Sequence, residues 1–218
     1  MEILFKQPSQ LNLSDFSLVY EYLLLINPEG KAYDSTYSGK KDFSFRYKNQ
    51  DDRVTPPHVT LANILQPDLY ETEIINELKK IAESSNKIKV ILKDYGWFDR
   101  VIYYNVEFKT DIQQLVRKIK SRINRFMITE KKLGADVKQQ LAPHFILTPH
   151  ITVCKDLTPE QLERSKIEYT SRKFYAEFVA KEMILLKRLG SDPYQEIGRF
   201  RFNGPDMLTI IRQGNLFQ

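Results

Sequence analysis

The sequence predicts an α+β chain with a duplicated lobe, in which antiparallel sheets carry helices on one side. Two observations support that class. Strand-like and helix-like segments alternate, yet some neighbouring strands follow one another with no helix between, which favours antiparallel pairing with segregated helices. The second is an internal echo: Thr55-Pro56-Pro57-His58-Val59-Thr60-Leu61-Ala62 resembles Leu147-Thr148-Pro149-His150-Ile151-Thr152-Val153-Cys154. The two copies stand close to half a chain apart, and each is followed by a loop and a helix, as a repeated unit would be.

The elements follow in order. Leu18 to Ile26 is apolar enough for a central strand, closed by the turn residues Asn27-Pro28-Glu29-Gly30. Residues 31–52 are polar and aromatic without steady periodicity and read as a long loop, with a short strand at Phe43 to Tyr47. Thr55-Pro56-Pro57 leads into a strand from Val59 to Ile64, since proline suits the mouth of a strand better than its middle. Ile74, Leu78 and Ile81 recur at helical spacing within Tyr70 to Ser84. Strands at Ile88 to Leu92 and Val101 to Phe108 flank a turn-rich stretch around Gly96. The clearest helix carries Ile112, Leu115, Val116, Ile119 and Ile123, with Asp111 in its first turn. Pro143 to His150 leads into a strand from Ile151 to Cys154, and Thr158-Pro159-Glu160 starts a helix with threonine as N-cap. Phe178 to Leu189 mixes signals, but its run from Glu182 to Leu186 reads as a strand, and Tyr194 to Phe202 as another. The tail at 205–218 has too little pattern to assign.

Composition narrows the class of protein. A chain of 218 residues is long enough for a substantial core, and 42% apolar residues with 12 tyrosines and 13 phenylalanines exclude a disordered chain. The longest apolar stretch, Tyr22 to Ile26, is a strand's length and far short of a bilayer span. The start shows no basic segment followed by a long apolar one, so the expectation is a soluble, cytoplasmic protein without membrane contact. One cysteine, Cys154, makes neither an intrachain disulfide nor a metal cluster, which fits a reducing compartment. The net charge of +5 would steer an anionic substrate, but it comes without an arginine-rich tail. Lys118, Lys120, Arg122 and Arg125 have helical spacing, and a solvated face explains them most simply.

On a strand, residues two apart share a face, so His58 pairs with Thr60 and His150 with Thr152. If the two copies are related by a pseudo-twofold axis, the four side chains converge on one cleft. Cleavage of a phosphodiester wants such a set. One imidazole takes a proton from water or a hydroxyl, and the other protonates the departing oxygen. The threonine hydroxyls donate hydrogen bonds to the phosphoryl oxygens as charge builds there. A single histidine on a strand is more often structural. Here two of only three histidines stand in matching Pro-His-(Val/Ile)-Thr contexts, and burying both pairs for packing alone would demand partners for several polar groups.

The tetrads His58-Val59-Thr60-Leu61 and His150-Ile151-Thr152-Val153 resemble the repeated signature of the two-histidine phosphoesterase superfamily, including bacterial RNA 2′,3′-cyclic phosphodiesterases labelled 2′-5′ RNA ligases. The resemblance spans Leu18 to Phe202, including the strand pairs at Ile88 to Phe108 and Lys181 to Phe202. It implies two pseudo-symmetric lobes in a single two-lobed domain over 1–218, with the active site in the groove between them. It further implies metal-independent hydrolysis of 2′,3′-cyclic phosphate on RNA ends or small nucleotides to a 2′-phosphate, with His150 as base and His58 as acid. No cofactor and no obligate protein partner are expected. Other readings are action on another cyclic phosphate such as an ADP-ribose derivative, 2′-5′ RNA ligation, and a noncatalytic nucleotide-binding module.

Two departures stand out. Relatives usually carry a helix where this chain has 31–52, which reads as a surface loop or as a lid using Tyr37, Lys40, Phe43 or Arg46 to hold base and phosphate. Thr148 and Pro149 also occupy places where relatives sometimes have a basic residue. Further candidate substrate contacts are Trp97, Phe98, His144 and Tyr194, each with a packing role as the plainer alternative. Arg199 is a lesser candidate source of positive charge. Cys154 and Ala62 read as small residues packed under the site, and Asp51 and Asp52 as a solvated pair.

Overall fold

A computed structural model describes residues 18–48, 55–128 and 143–204. The acidic pair Asp51 and Asp52 and the tail at 205–218 lie outside the described residues. Among the described residues nine strands form one antiparallel sheet with four α-helices, in the order β1 (Tyr20–Ile26), α1 (Gly30–Tyr47), β2 (Val59–Gln66), α2 (Glu71–Glu83), β3 (Ile88–Phe98), β4 (Val101–Glu107), α3 (Thr110–Ile123), β5 (His144–Phe145), β6 (His150–Cys154), α4 (Pro159–Thr170), β7 (Tyr175–Ala180), β8 (Glu182–Leu189) and β9 (Gln195–Arg201). Across the sheet the strands run β7-β3-β4-β6-β2-β1-β8-β9, with β5 on β2. The halves of that order mirror each other about the β6–β2 join. The run strand–helix–strand–helix occurs as β1-α1-β2-α2 and again, with the short β5 intervening before β6, as β4-α3-β6-α4. The helices are exchanged: α1, which follows β1, packs on β6 and β7, whereas α3, which follows β4, packs on β2 and β5.

The duplication reaches into the strand irregularities. In β2, Thr60 lies opposite Leu25 and Ala62 opposite the adjacent Leu24, so Leu61 is an extra residue in the ladder. In β6, Thr152 lies opposite Tyr103 and Cys154 opposite the adjacent Ile102, so Val153 is extra in the same way. Each bulge falls one residue after the threonine of its tetrad. Leu61 is fully buried and Val153 5% exposed, so the apolar fourth position of each tetrad is the bulge residue tucked into the core. A bulge shifts the alternation of side chains, so Cys154 leaves the row of His150 and Thr152 and joins the face of Ile102. It therefore does not stand in register with Thr152, as strict alternation would have placed it.

Residues 30–47 are a helix rather than a loop with a strand. Its buried positions, Ala32, Thr36, Lys40, Phe43 and Tyr47, do follow helical spacing, but two of the five are polar, which breaks the apolar pattern. Gly39, which looks like a helix breaker, is a packing requirement: a Cβ there would sit 2.0 Å from the Tyr104 hydroxyl. Gly96 is likewise no turn. It lies within β3, where its missing side chain admits the Tyr103 ring, which a Cβ would meet at 2.5 Å, and the chain reverses later at Asp99 and Arg100. Thr158 caps α4 as expected, with a reciprocal capping box to Gln161 and Pro159 in the first turn. Of the four basic residues, Lys118 on α3 donates to Ser84 at the end of α2, and Arg125, just past α3, pairs with Glu77 of α2, so these two tie the segment to α2.

Candidate active site

β2 and β6 meet at a single Cα pair, Val59 with Ile151, both fully buried. One step to either side, antiparallel geometry sets His58 across from Thr152 and Thr60 across from His150. Side chains directly opposite in such a ladder lie about 4.5–5.5 Å apart at Cβ. The four polar residues are each half-buried, on the face opposite Val59 and Ile151. The two tetrads thus share one patch at the join between the halves.

Each imidazole is held the same way. His58 Nδ1 lies 2.9 Å from the Pro56 carbonyl oxygen and His150 Nδ1 lies 2.8 Å from that of Thr148. A carbonyl oxygen only accepts, so each Nδ1 carries the proton and donates. Nε2 is left turned away from the backbone, an acceptor in the neutral ring and a donor in the charged one. The proline before each histidine favours an extended approach that lets the ring fold back on a carbonyl two residues earlier. Among the described residues neither the Thr60 nor the Thr152 hydroxyl is engaged in a hydrogen bond.

Burial lowers the pKa of both histidines, against the opposing pull of the two carbonyls. For His58 the positive charges of Lys40 and His150 add to the lowering. For His150, Lys109 adds to it. The charge of His150 is thus felt at His58, as expected of two rings sharing one site.

The other sequence candidates divide. Phe98 is 39% exposed and meets the His150 ring edge-on at 5.1 Å. His144 pairs with Asn63 on the strand that also carries Thr60, and the Leu61 bulge returns Asn63 to the Thr60 face. Tyr194 lies under the Arg188 guanidinium at 4.4 Å, and Arg188 in turn pairs with Glu21, which accepts from Asn63. Arg199 is bound to Glu182 and Glu196. Trp97 donates to Ser165 on α4 at 3.0 Å, on the helix-covered side of the sheet. The four α1 candidates do not form a lid, since α1 packs on β6 and β7 with Lys40 and Phe43 on its buried face. Phe43 is fully buried and stacked on Tyr47 at 4.1 Å. Arg46 pairs with Glu168 of α4, and Tyr37 stacks on Tyr33 with Lys41 over its ring. Lys40 is buried in the core face of α1 yet felt at His58.

Sequence reasoning missed Tyr103 and Lys109. Tyr103 lies 5.0 Å from both His150 and Phe98, so two rings border that histidine. Among the described residues no three His, Cys, Asp or Glu side chains are grouped so as to hold a metal. No described helix is long and apolar enough to cross a membrane.

Duplicated antiparallel halves that bring two His-x-Thr pairs together define the two-histidine phosphoesterase class. The chain belongs to the 2′-5′ RNA ligase superfamily, whose family model matches residues 43–192. Its structure is similar to that of TT0787 from Thermus thermophilus, with a TM-score of 0.59 at 16% identity over 84% of this chain and 98% of that one. It is also similar to E. coli LigT solved with 3′-AMP, with a TM-score of 0.55 at 16% identity over 84% and 98%. LigT solved with ATP gives 0.53 at 14% identity over the same shares. At these identities the likeness concerns the fold. Among curated proteins, none matches this sequence.

Proposed function

We propose that the chain hydrolyses 2′,3′-cyclic phosphate on RNA ends or small nucleotides to a 2′-phosphate. The observation that carries this reading is the quartet around Val59–Ile151, with both Nδ1 atoms fixed on carbonyls and both Nε2 atoms left for proton transfer. In the proposed reaction His150 Nε2 takes a proton from water as its oxygen attacks phosphorus. The bond from phosphorus to the 3′ oxygen breaks, and His58 Nε2–H protonates that oxygen. Thr60 and Thr152 hydroxyls donate to the nonbridging oxygens as charge grows on them. The lowered pKa of His58 suits an acid that must give up its proton readily. Phe98 and Tyr103 beside His150 offer ring faces on which a base can stack. That E. coli LigT, of similar fold, has been solved with 3′-AMP supports a nucleotide-sized ligand.

The test is incubation of the purified protein with 2′,3′-cyclic nucleotides in EDTA, followed by separation of the 2′- and 3′-monophosphates. Conversion to the 2′-phosphate despite the chelator is expected. Activity that is lost in EDTA and restored by one divalent ion would point to a metal-generated nucleophile instead. Binding without turnover would make the groove a nucleotide-recognition site.

A further inference from the structure

Lys40 lies on the core face of α1 and is 4% exposed. Lysine is seldom buried without an opposite charge, because an ion taken out of water needs compensation. Among the described residues Lys40 has no carboxylate partner, and its Nζ donates to Thr55 Oγ1 at 3.2 Å. The acids near this part of α1 are committed elsewhere: Asp42 and Glu168 pair with Arg46, and Glu168 also accepts from Tyr47. From β6 the titratable group facing Lys40 is Cys154, and from the approach to β2 it is His58. On β4, Tyr104 turns its hydroxyl to the Thr36 carbonyl. On β7, Glu177 pairs with Lys89, and the residues buried there, Ala176, Phe178 and Ala180, are apolar.

The place of this ammonium follows from the sheet. β2 and β6 are paired at Val59 and Ile151 alone, so the chains part toward Thr55 on one side and Cys154 on the other. Val153 bulges, which turns Cys154 toward the α1 side. Lys40 reaches the parting from behind, bonded to Thr55 and within electrostatic reach of Cys154 and His58. It is a buried positive charge within electrostatic reach of one of the two histidines, held by a neutral hydroxyl.

We propose that Lys40 is an oxyanion-binding residue of the groove, reaching the phosphoryl group from beneath, between the parted strands and beside His58. This deepens the phosphodiesterase reading and rests on it for the identity of the anion. Burial pushes Lys40 down to about 8, only partly opposed by Cys154, so its ammonium titrates in an accessible range. An anion beside the ammonium would favour its charged form.

Inorganic sulfate is a suitable probe, because it is a tetrahedral dianion whose charge is constant across this range. Its affinity should be measured by calorimetry for the wild type, Lys40→Met and Lys40→Arg at about pH 7 and about pH 9.5, a window in which histidine is already largely neutral. Loss of one charge-assisted hydrogen bond predicts roughly tenfold to a hundredfold weaker binding to Lys40→Met at the lower pH. Wild-type affinity should fall about tenfold or more at the higher pH as the ammonium deprotonates, whereas Lys40→Arg, which stays charged, should show no such fall. A purely structural lysine would not produce that contrast. Sulfate affinity in Lys40→Met within about twofold of wild type overturns the proposal, as does the same pH dependence in the wild type and Lys40→Arg. The second comparison decides the matter even if Lys40→Met does not fold. Sulfate binding needs no turnover. A protein that hydrolyses no cyclic phosphate yet shows this pattern would sink the proposed reaction and leave the role of Lys40 standing.

Discussion

His58 and His150 use their Nδ1 protons on backbone carbonyls, so the chemistry left to each ring resides in Nε2. Burial and the nearby positive charges lower both pKa values. The bell-shaped dependence of kcat/KM on pH reports the free enzyme, so its maximum is expected below the ordinary histidine value of about 6.5. An optimum well above that value, measured with a substrate that does not itself titrate there, would contradict the lowered pair. The two curves belong to the coupled pair rather than to either ring alone. This quartet is legible in the sequence because two tetrads carry the same residue types in the same order. Tyr103 and Lys109 are not, because their nearness to His150 depends on strand register and on the start of α3, neither of which leaves a motif.

At the scale of elements, α1 shows how a local pattern misleads. Thr36 and Lys40 occupy core positions, so the helical stripe is broken where an apolar residue would have completed it. Gly39 reads as a loop residue although the space it leaves is filled by Tyr104. Gly39→Ala should therefore destabilise the protein by about 1–3 kcal/mol through overpacking, despite the better helix propensity of alanine. Chemical denaturation of Gly39→Ala, Tyr104→Phe and the double variant checks this. Removing the hydroxyl should recover most of the loss, since the next nearest ring atom would be 3.3 Å from the new Cβ. Simple addition of the two single effects would refute the close approach. The strands around the tetrads are legible because proline and β-branched residues mark their mouths and cores. The paired bulges at Leu61 and Val153 are not, since an apolar residue after the threonine looks the same in a regular strand.

The whole molecule places its repeated His-x-Thr pairs, half-buried, at the join between its two halves, and that has a cost. Because the folded-state pKa values of His58 and His150 are lowered, the unfolded chain binds more protons in the window just below about pH 6.5. Stability is thus full above that value and is lost as pH falls through the folded-state values. Denaturation of the ligand-free protein at about pH 7.5 and about pH 5.5 should show the decline, smaller in His58→Gln and His150→Gln, where no proton is taken up. An equal decline in those variants would assign it to other groups. The proposed function gathers all of this into one claim, that two histidines at the join share a single phosphodiester. Its most direct test is kcat/KM for wild type, His58→Ala and His150→Ala on a 2′,3′-cyclic nucleotide and on an analogue with a much better 3′ leaving group. Each alanine variant should lose about 100-fold or more on the natural ester, whereas Thr60→Ala and Thr152→Ala lose less, since both proton-transfer groups remain. The better leaving group should rescue His58→Ala far more than His150→Ala, because only the acid becomes dispensable. Preferential rescue of His150→Ala would reverse the assignment, and full activity in either alanine variant would contradict the shared-phosphate account.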